Sequence, residues 1–186
     1  MKITCISGSP STGGNNEKLL DIVAGMVRER DYQTDAILLS KLNMQPCTDC
    51  GVCRKAKECP IDDDMASILE KLETSDAFII TSPVFFGSMT ARLKALLDRT
   101  ILLRRNGFLL KGKLGAALAV GGSRNGGQEL TIQGIHSWMH IHGMIVVGDG
   151  AHFGGIAIKP VESDDAGLKT VHDTVNMLCD TLSRFK

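Results

Sequence analysis

Short apolar runs that alternate with amphipathic stretches of helical period constrain this chain's fold more than any other feature of its sequence. The runs cover residues 2–7, 34–39, 77–82, 114–120 and 144–148. Most are continuous rather than alternating, the pattern of strands covered on both faces. Between them the spacing predicts helices over 16–30, 64–73, 88–103, 128–140 and 164–183. The first places Leu19, Ile22, Val23, Met26 and Val27 on one face at i, i+3, i+4, i+7. The third carries Met89, Leu93, Leu96 and Leu97, the fourth Leu130, Ile135, Trp138 and Met139, and the last Val171, Val175, Leu178 and Leu182. Five strand–helix repeats joined by right-handed crossovers give a parallel sheet with helices on both faces. At 186 residues the chain suits one α/β domain, 1–186, with a well-buried core.

In such a sheet, ligands sit beyond the carboxyl ends of the strands, so the loops after the first, third and fourth strands matter most. The first reads Gly8-Ser9-Pro10-Ser11-Thr12-Gly13-Gly14-Asn15-Asn16. Hydroxyls, amides and glycines before a helix suit a bound phosphate; an ordinary turn with Asn15 as helix N-cap is the structural alternative. The loop has no lysine or arginine, and it lacks both the Gly-x-Gly-x-x-Gly and the Gly-Lys-Ser/Thr spacings. The third-strand loop, Ser82-Pro83-Val84-Phe85-Phe86-Gly87-Ser88-Met89, sets two aromatics where they would shield a flat ligand, unless one or both turn into the core. The fourth, Gly121-Gly122-Ser123-Arg124-Asn125-Gly126-Gly127, offers a wall of backbone N–H groups to a planar ring, or is simply a flexible loop. One ring and one phosphate describe FMN.

Four of the six cysteines fall in one short stretch, Cys47, Cys50, Cys53 and Cys59, with C-x2-C-x2-C-x5-C spacing that closes on Pro60. Clustering of this kind points to metal ligation and a reducing compartment, hence a cytoplasmic location. A [4Fe–4S] cluster on four thiolates is the leading reading; a zinc site and redox-active thiols are the others. The neighbouring Arg54, Lys55 and Lys57 would offset a cluster's negative charge. Asp62, Asp63 and Asp64 follow, read as a helix start favoured by the dipole. Cys5 and Cys179 read as core. His136 and His140, an i, i+4 pair without a nearby carboxylate, read as packing or surface residues, and Trp138 as core or interface. No catalytic triad or carboxylate pair can be assembled.

Formal net charge is zero, so no basic field recruits nucleic acid or an anionic membrane. Residues 1–4 run straight into a strand rather than a leader, and no apolar run approaches the roughly 20 residues of a membrane span.

The segments Gly8-Ser9-Pro10, Gly14-Asn15, Ser82 to Ser88 and Gly121 to Gly127 resemble the FMN loops of the NADPH-dependent FMN reductase and iron–sulfur flavoprotein family, and the cysteine spacing resembles its iron–sulfur branch. The resemblance implies a flavodoxin-like three-layer sandwich, a five-stranded parallel sheet of order 2-1-3-4-5, with a cysteine-rich insert, 44–63, after strand two. It implies that Ser9, Ser11, Gly14, Asn15 and Asn16 hold the phosphate. Pro83, Val84, Phe85 and Phe86 with Gly121, Gly122, Ser123, Gly126 and Gly127 would hold the ring. Ser11 and Asn16 stand where many relatives carry arginine and threonine. The implied function is an oxidoreductase passing electrons from reduced ferredoxin or NAD(P)H, by way of a [4Fe–4S] cluster and FMN, to a quinone, an oxygen species or another small acceptor, in a homodimer or homotetramer. A cluster-free NAD(P)H-dependent FMN or quinone reductase and a non-enzymatic electron carrier are the alternatives.

Overall fold

The computed structural model describes residues 1–185. Strands β1 (Lys2–Ser7), β2 (Gln33–Leu38), β3 (Ala77–Pro83), β4 (Leu114–Gly121), β5 (Ile145–Val147) and β6 (Gly155–Ile158) form one sheet. Its order is β2-β1-β3-β4-β5, every pairing is parallel, and β6 also pairs β4. This is the doubly wound order of flavodoxin-like folds.

The sheet differs from the sequence expectation at its last position. One strand over 144–148 was expected there; two short strands share the place. β5 pairs Leu114–Ala116, and β6 pairs Leu118–Gly121. Residues 148–154 leave the ladder between them. A four-residue run such as Gly155–Ile158 gains strand character only from the exposed β4 edge it meets.

Period-two alternation distributes the strands between two cores. Ile3, Cys5, Ile79, Leu114, Ala116, Leu118 and Val120 pack with α1 (Asn15–Glu29) and with Val171, Val175, Leu178 and Cys179 of the last helix. Ile6, Phe78, Ile80, Ala117 and Ala119 face the other way. That side is covered by α2 (Met65–Thr74), α3 (Ala91–Arg99), α4 (Ile101–Arg105) and α5 (Gln128–Ile141). With α6 (Asp165–Ser183) closing the first face, the result is three layers. Each fully buried Leu or Ile contributes about 1.5–3 kcal/mol. Trp138 lies in the second core; Leu130, expected there too, is exposed, and Ile132 takes its place.

The helix expected over 88–103 starts at Ala91, where the Thr90 hydroxyl accepts from Leu93 N–H at 3.0 Å, and breaks at Thr100. Thr100 Oγ donates to Leu97 O at 2.6 Å, so it accepts from Trp138 Nε1–H at 2.7 Å and from His142 Nε2 at 2.9 Å. His142 therefore carries its proton on Nε2, and its buried Nδ1 has no partner among the described residues.

Candidate functional site

Strands β1, β3 and β4 end together, and their loops surround a cleft of about 290 Å³. Ser9, Ser11, Gly14, Asn15, Asn16, Pro83, Val84, Phe85, Gly121 and Gly122 line it. Phe86, Ser123, Gly126 and Gly127, expected to join them, do not. Val120 and Lys159 do, and sequence reasoning placed neither there.

The first loop is held from beneath. Gly8 O accepts from Thr90 Oγ1 at 2.6 Å, and a Cβ on Gly8 would lie 2.8 Å from Leu93 Cβ, so only glycine lets α3 approach this closely. Asn15 does not cap α1; Gly14 holds the cap position. Instead Glu17 reaches back to accept from Gly13 N–H at 2.7 Å and from Ser40 at 2.9 Å. The Gly13 N–H foremost, opposed by desolvation and helped by Ser40, lowers the Glu17 carboxyl pKa. Asn15 Oδ1 accepts from Val161 N–H at 2.9 Å, and Asn16 Oδ1 from Thr81 at 2.8 Å. With both oxygens committed, the amide Nδ2 groups remain as donors at the helix start, chemistry suited to an anion. The Ser9 hydroxyl is occupied within the loop, donating to Ser11 O at 3.2 Å and accepting from Ser11 N–H at 3.1 Å.

After β3, Phe85 and Ser88 exchange backbone hydrogen bonds of 2.8 and 3.1 Å across a two-residue turn. Phe86 and Gly87 have φ of 49° and 77°, the signs a type I′ turn demands. The turn projects both phenyl rings outward: Phe85 is half exposed and Phe86 fully so. Neither ring turns into the core, the alternative that the sequence left open. A phenylalanine held in the left-handed region costs about 1–3 kcal/mol, the kind of strain that collects at ligand sites.

The glycine loop after β4 folds over Gln128. This buried amide donates to Ser123 O at 2.6 Å and accepts from Gly126 N–H at 2.9 Å. Those contacts hold the backbone of Ser123 and Gly126 on Gln128, and neither residue lines the cleft. Gly127 instead meets the phenylalanine turn, where a Cβ would come within 2.8 Å of Gly87 Cα. Gly121 and Gly122 are left as a wall without side chains. Because β6 pairs Gly121 with Ile158, Lys159 arrives beside them, its N–H donating to Gly121 O at 3.1 Å. A cation thus joins a cleft whose first loop has none. The only sequence signal for it was the apolar run before Lys159-Pro160, legible as a short strand.

Cys47, Cys50, Cys53 and Cys59 surround a second cavity, of about 280 Å³, closed by Asp98, Arg99, Ile101, Leu102 and Arg105. Gly51, at φ 77°, makes the turn between the second and third cysteines. Among the described residues no three His, Cys, Asp or Glu side chains gather around a single-ion position; the four thiols rim a wider space. Arg54, Lys55 and Lys57, expected to offset a cluster's negative charge, are exposed. The cations at hydrogen-bond distance are Arg99, donating to Cys59 Sγ at 3.2 Å, and Arg105, donating to Cys53 Sγ at 2.8 Å. Arg99 is ion-paired with Asp63, their side chains 2% and 0% exposed, and donates to Gln45 O at 3.1 Å. Burial pushes the Asp63 carboxyl up; the Arg99 guanidinium and the N–H groups of Gln45 and Met65 outweigh it and leave the pKa lowered. Asp63 is therefore more than a favourable charge before a helix: it anchors the insert to α3.

The two sites lie at opposite ends of α3. Thr90, before its first turn, holds the cleft; Asp98 and Arg99, in its last, close the cysteine cavity. Nine helical residues separate them by about 14 Å along the axis.

Residues 1–157 match the NADPH-dependent FMN reductase family. An iron–sulfur flavoprotein of Methanosarcina thermophila is 55% identical over 98% of this chain and 95% of its own length. An iron–sulfur flavoprotein of Methanocaldococcus jannaschii is 42% identical over the whole of both chains. Among solved structures, an NADH:FMN oxidoreductase in its apo form superposes with a TM-score of 0.74 at 22% identity, covering 97% of this chain and 89% of that one; it shares the fold.

Proposed function

Because the chain belongs to the NADPH-dependent FMN reductase family, in its iron–sulfur flavoprotein branch, and is thereby a flavin-dependent oxidoreductase, we propose that it uses FMN and a [4Fe–4S] cluster to pass electrons from a reduced ferredoxin-like protein or NAD(P)H to a small acceptor such as a quinone or an oxygen species. We read residues 1–186 as one FMN-binding domain carrying a cluster-binding insert at 44–63. A cytoplasmic location follows from the free thiols this site requires.

The observation that carries the reading is the gathering of all four motif cysteines around one cavity, separate from the cleft. A rim of four thiols suits an inorganic core larger than one ion. FMN exchanges one or two electrons and a cluster one, so together they join partners of either kind. The protein's part is binding and electrostatics. Asn15, Asn16 and the start of α1 would receive the phosphate, with Ser9 and Ser11 shaping the loop. Pro83, Val84 and Phe85 would flank the ring on one side and Gly121 and Gly122 on the other. Phe86 would lie over the cleft's mouth, while Ser123, Gly126 and Gly127 hold the wall in place. Cys47, Cys50, Cys53 and Cys59 would ligate the cluster. The roughly 14 Å of α3 between the sites and the exposed Phe85 and Phe86 favour a homodimer or homotetramer in which the cluster of one chain approaches the flavin of another.

The test is anaerobic purification with iron, acid-labile sulfide and FMN assayed on one sample beside its absorbance spectrum. About four irons, four sulfides and one FMN per chain are expected. Flavin with zinc or no metal would overturn the cluster and favour a plain NAD(P)H-dependent FMN or quinone reductase.

A further inference from the structure

The two guanidinium groups at the cysteine cavity come from α3 and α4, 40 and 52 positions along the chain from the thiols they reach. Their settings differ. Arg99 is buried and its charge is met by Asp63. Arg105 is exposed and, among the described residues, has no carboxylate within ion-pair distance. Both direct an N–H at a sulfur, Arg105 at 2.8 Å from Cys53 and Arg99 at 3.2 Å from Cys59. The exposed cations of the insert itself make no such contact.

We propose that Arg99 and Arg105 set the reduction potential of the cluster by donating hydrogen bonds to two of its four cysteine sulfurs, an inference that rests on the cluster reading above. One electron enters from an external one-electron reductant and no proton accompanies it, so the negative charge on the sulfurs and their cluster grows by one unit. A donor fixed on a thiolate interacts more strongly with the more negative state, because charge-assisted hydrogen bonds strengthen with acceptor charge. Hydrogen bonds to the sulfurs and solvent exposure are among the factors that set such potentials. Arg99 acts chiefly through its hydrogen bond, since Asp63 offsets its charge. Arg105 adds charge, screened by solvent. The buried Asp63 carboxylate and Gln45 O hold the Arg99 fork so that little reorganisation accompanies electron arrival. Both arginines are tuning residues that act through the cysteines.

The experiment is spectroelectrochemical titration of anaerobically prepared holoprotein, comparing wild type with Arg105→Gln, Arg99→Lys and the control Lys55→Gln. The control removes a cation from the same insert without touching a thiol. Arg105→Gln is expected to make reduction about tenfold less favourable, a midpoint lower by about 59 mV for one electron. Arg99→Lys should move it in the same direction, and Lys55→Gln by less than about twofold. Because Arg99 is buried and its variant can fail to assemble, the exposed Arg105 decides the matter. Should Arg105→Gln not retain its cluster, Arg105→Lys, which keeps the charge and alters the donor geometry, carries the same comparison. A midpoint in the Arg105 variant within twofold of wild type, or a Lys55→Gln shift as large as that of Arg105→Gln, would overturn the proposal. A wild-type sample without iron and sulfide would overturn the cluster reading itself; intact clusters with unmoved potentials would overturn this inference alone.

Discussion

Substituting Asp63 by asparagine isolates the ion pair that anchors the cysteine insert. Asp63 accepts from Gln45 N–H at 2.8 Å, from Met65 N–H at 3.1 Å and from Arg99, with its side chain fully buried. Asparagine keeps the shape and one acceptor oxygen. It removes the charge facing Arg99 and leaves one of the three donors without an acceptor. Breaking a buried pair from one side costs about 3–5 kcal/mol, because the remaining charge stays out of water. With a urea slope of about 2 kcal/mol per M, the midpoint should fall by about 2 M. The assay is urea unfolding at pH 7 followed by far-UV circular dichroism, on protein freed of cofactors so that ligand release does not distort the transition. The double variant Asp63→Asn/Arg99→Met, which replaces the stranded charge with an apolar side chain, should recover at least half the loss. The pH dependence has a definite sign. Asp63 has a lowered folded pKa, so its stabilisation is present above the unfolded value, about 3.9, and is lost as pH falls through the folded one. The gap between wild type and Asp63→Asn should therefore narrow as pH falls below the unfolded value. A loss below about 1 kcal/mol at pH 7 would refute the burial of this pair, since that is the size of an exposed ion pair.

Two further outcomes follow from the geometry. Gly121→Ala would place a Cβ 2.1 Å from Gln128 Nε2, displacing the amide that holds Ser123 and Gly126. Stability should drop by about 1–3 kcal/mol, and FMN affinity, read by flavin fluorescence titration, should weaken at least tenfold; unchanged affinity would mean that the loop wall takes no part in binding. His142 is held neutral mainly by burial, with the Arg104 charge adding to it, at a pKa lowered to about 4. A lowered folded value means the unfolded chain takes up the proton first as pH falls from 6.5 towards 4. Between pH 7.5 and 5 the protein should thus lose about 2 kcal/mol through this residue. His142→Gln should remove that share of the pH slope, and the same slope in both proteins would contradict the assignment.

Much of this molecule is legible in its residue order because the physics involved is local. Helical and strand periods report which face is covered. A glycine- and hydroxyl-rich turn before a helix reports free backbone donors at a strand end, and cysteines two residues apart report thiols held close together. The three loops and the four cysteines could accordingly be named in advance, and ten of the fourteen loop residues line the cleft. What the sequence could not supply depends on which segments meet. Gly155–Ile158 is a strand because it meets the β4 edge at Leu118–Gly121, beyond the reach of β5, and that pairing carries Lys159 to the cleft. Phe85 and Phe86 point outward because a type I′ turn leaves them no path into the core. Arg99 and Arg105 carry no local sign of the thiols they touch; packing of α3 and α4 against the insert brings them there. Local order determined the kinds of chemistry this chain can perform. Tertiary structure decided which charges stand beside that chemistry, because the distance between groups remote in sequence is set only when the layers close.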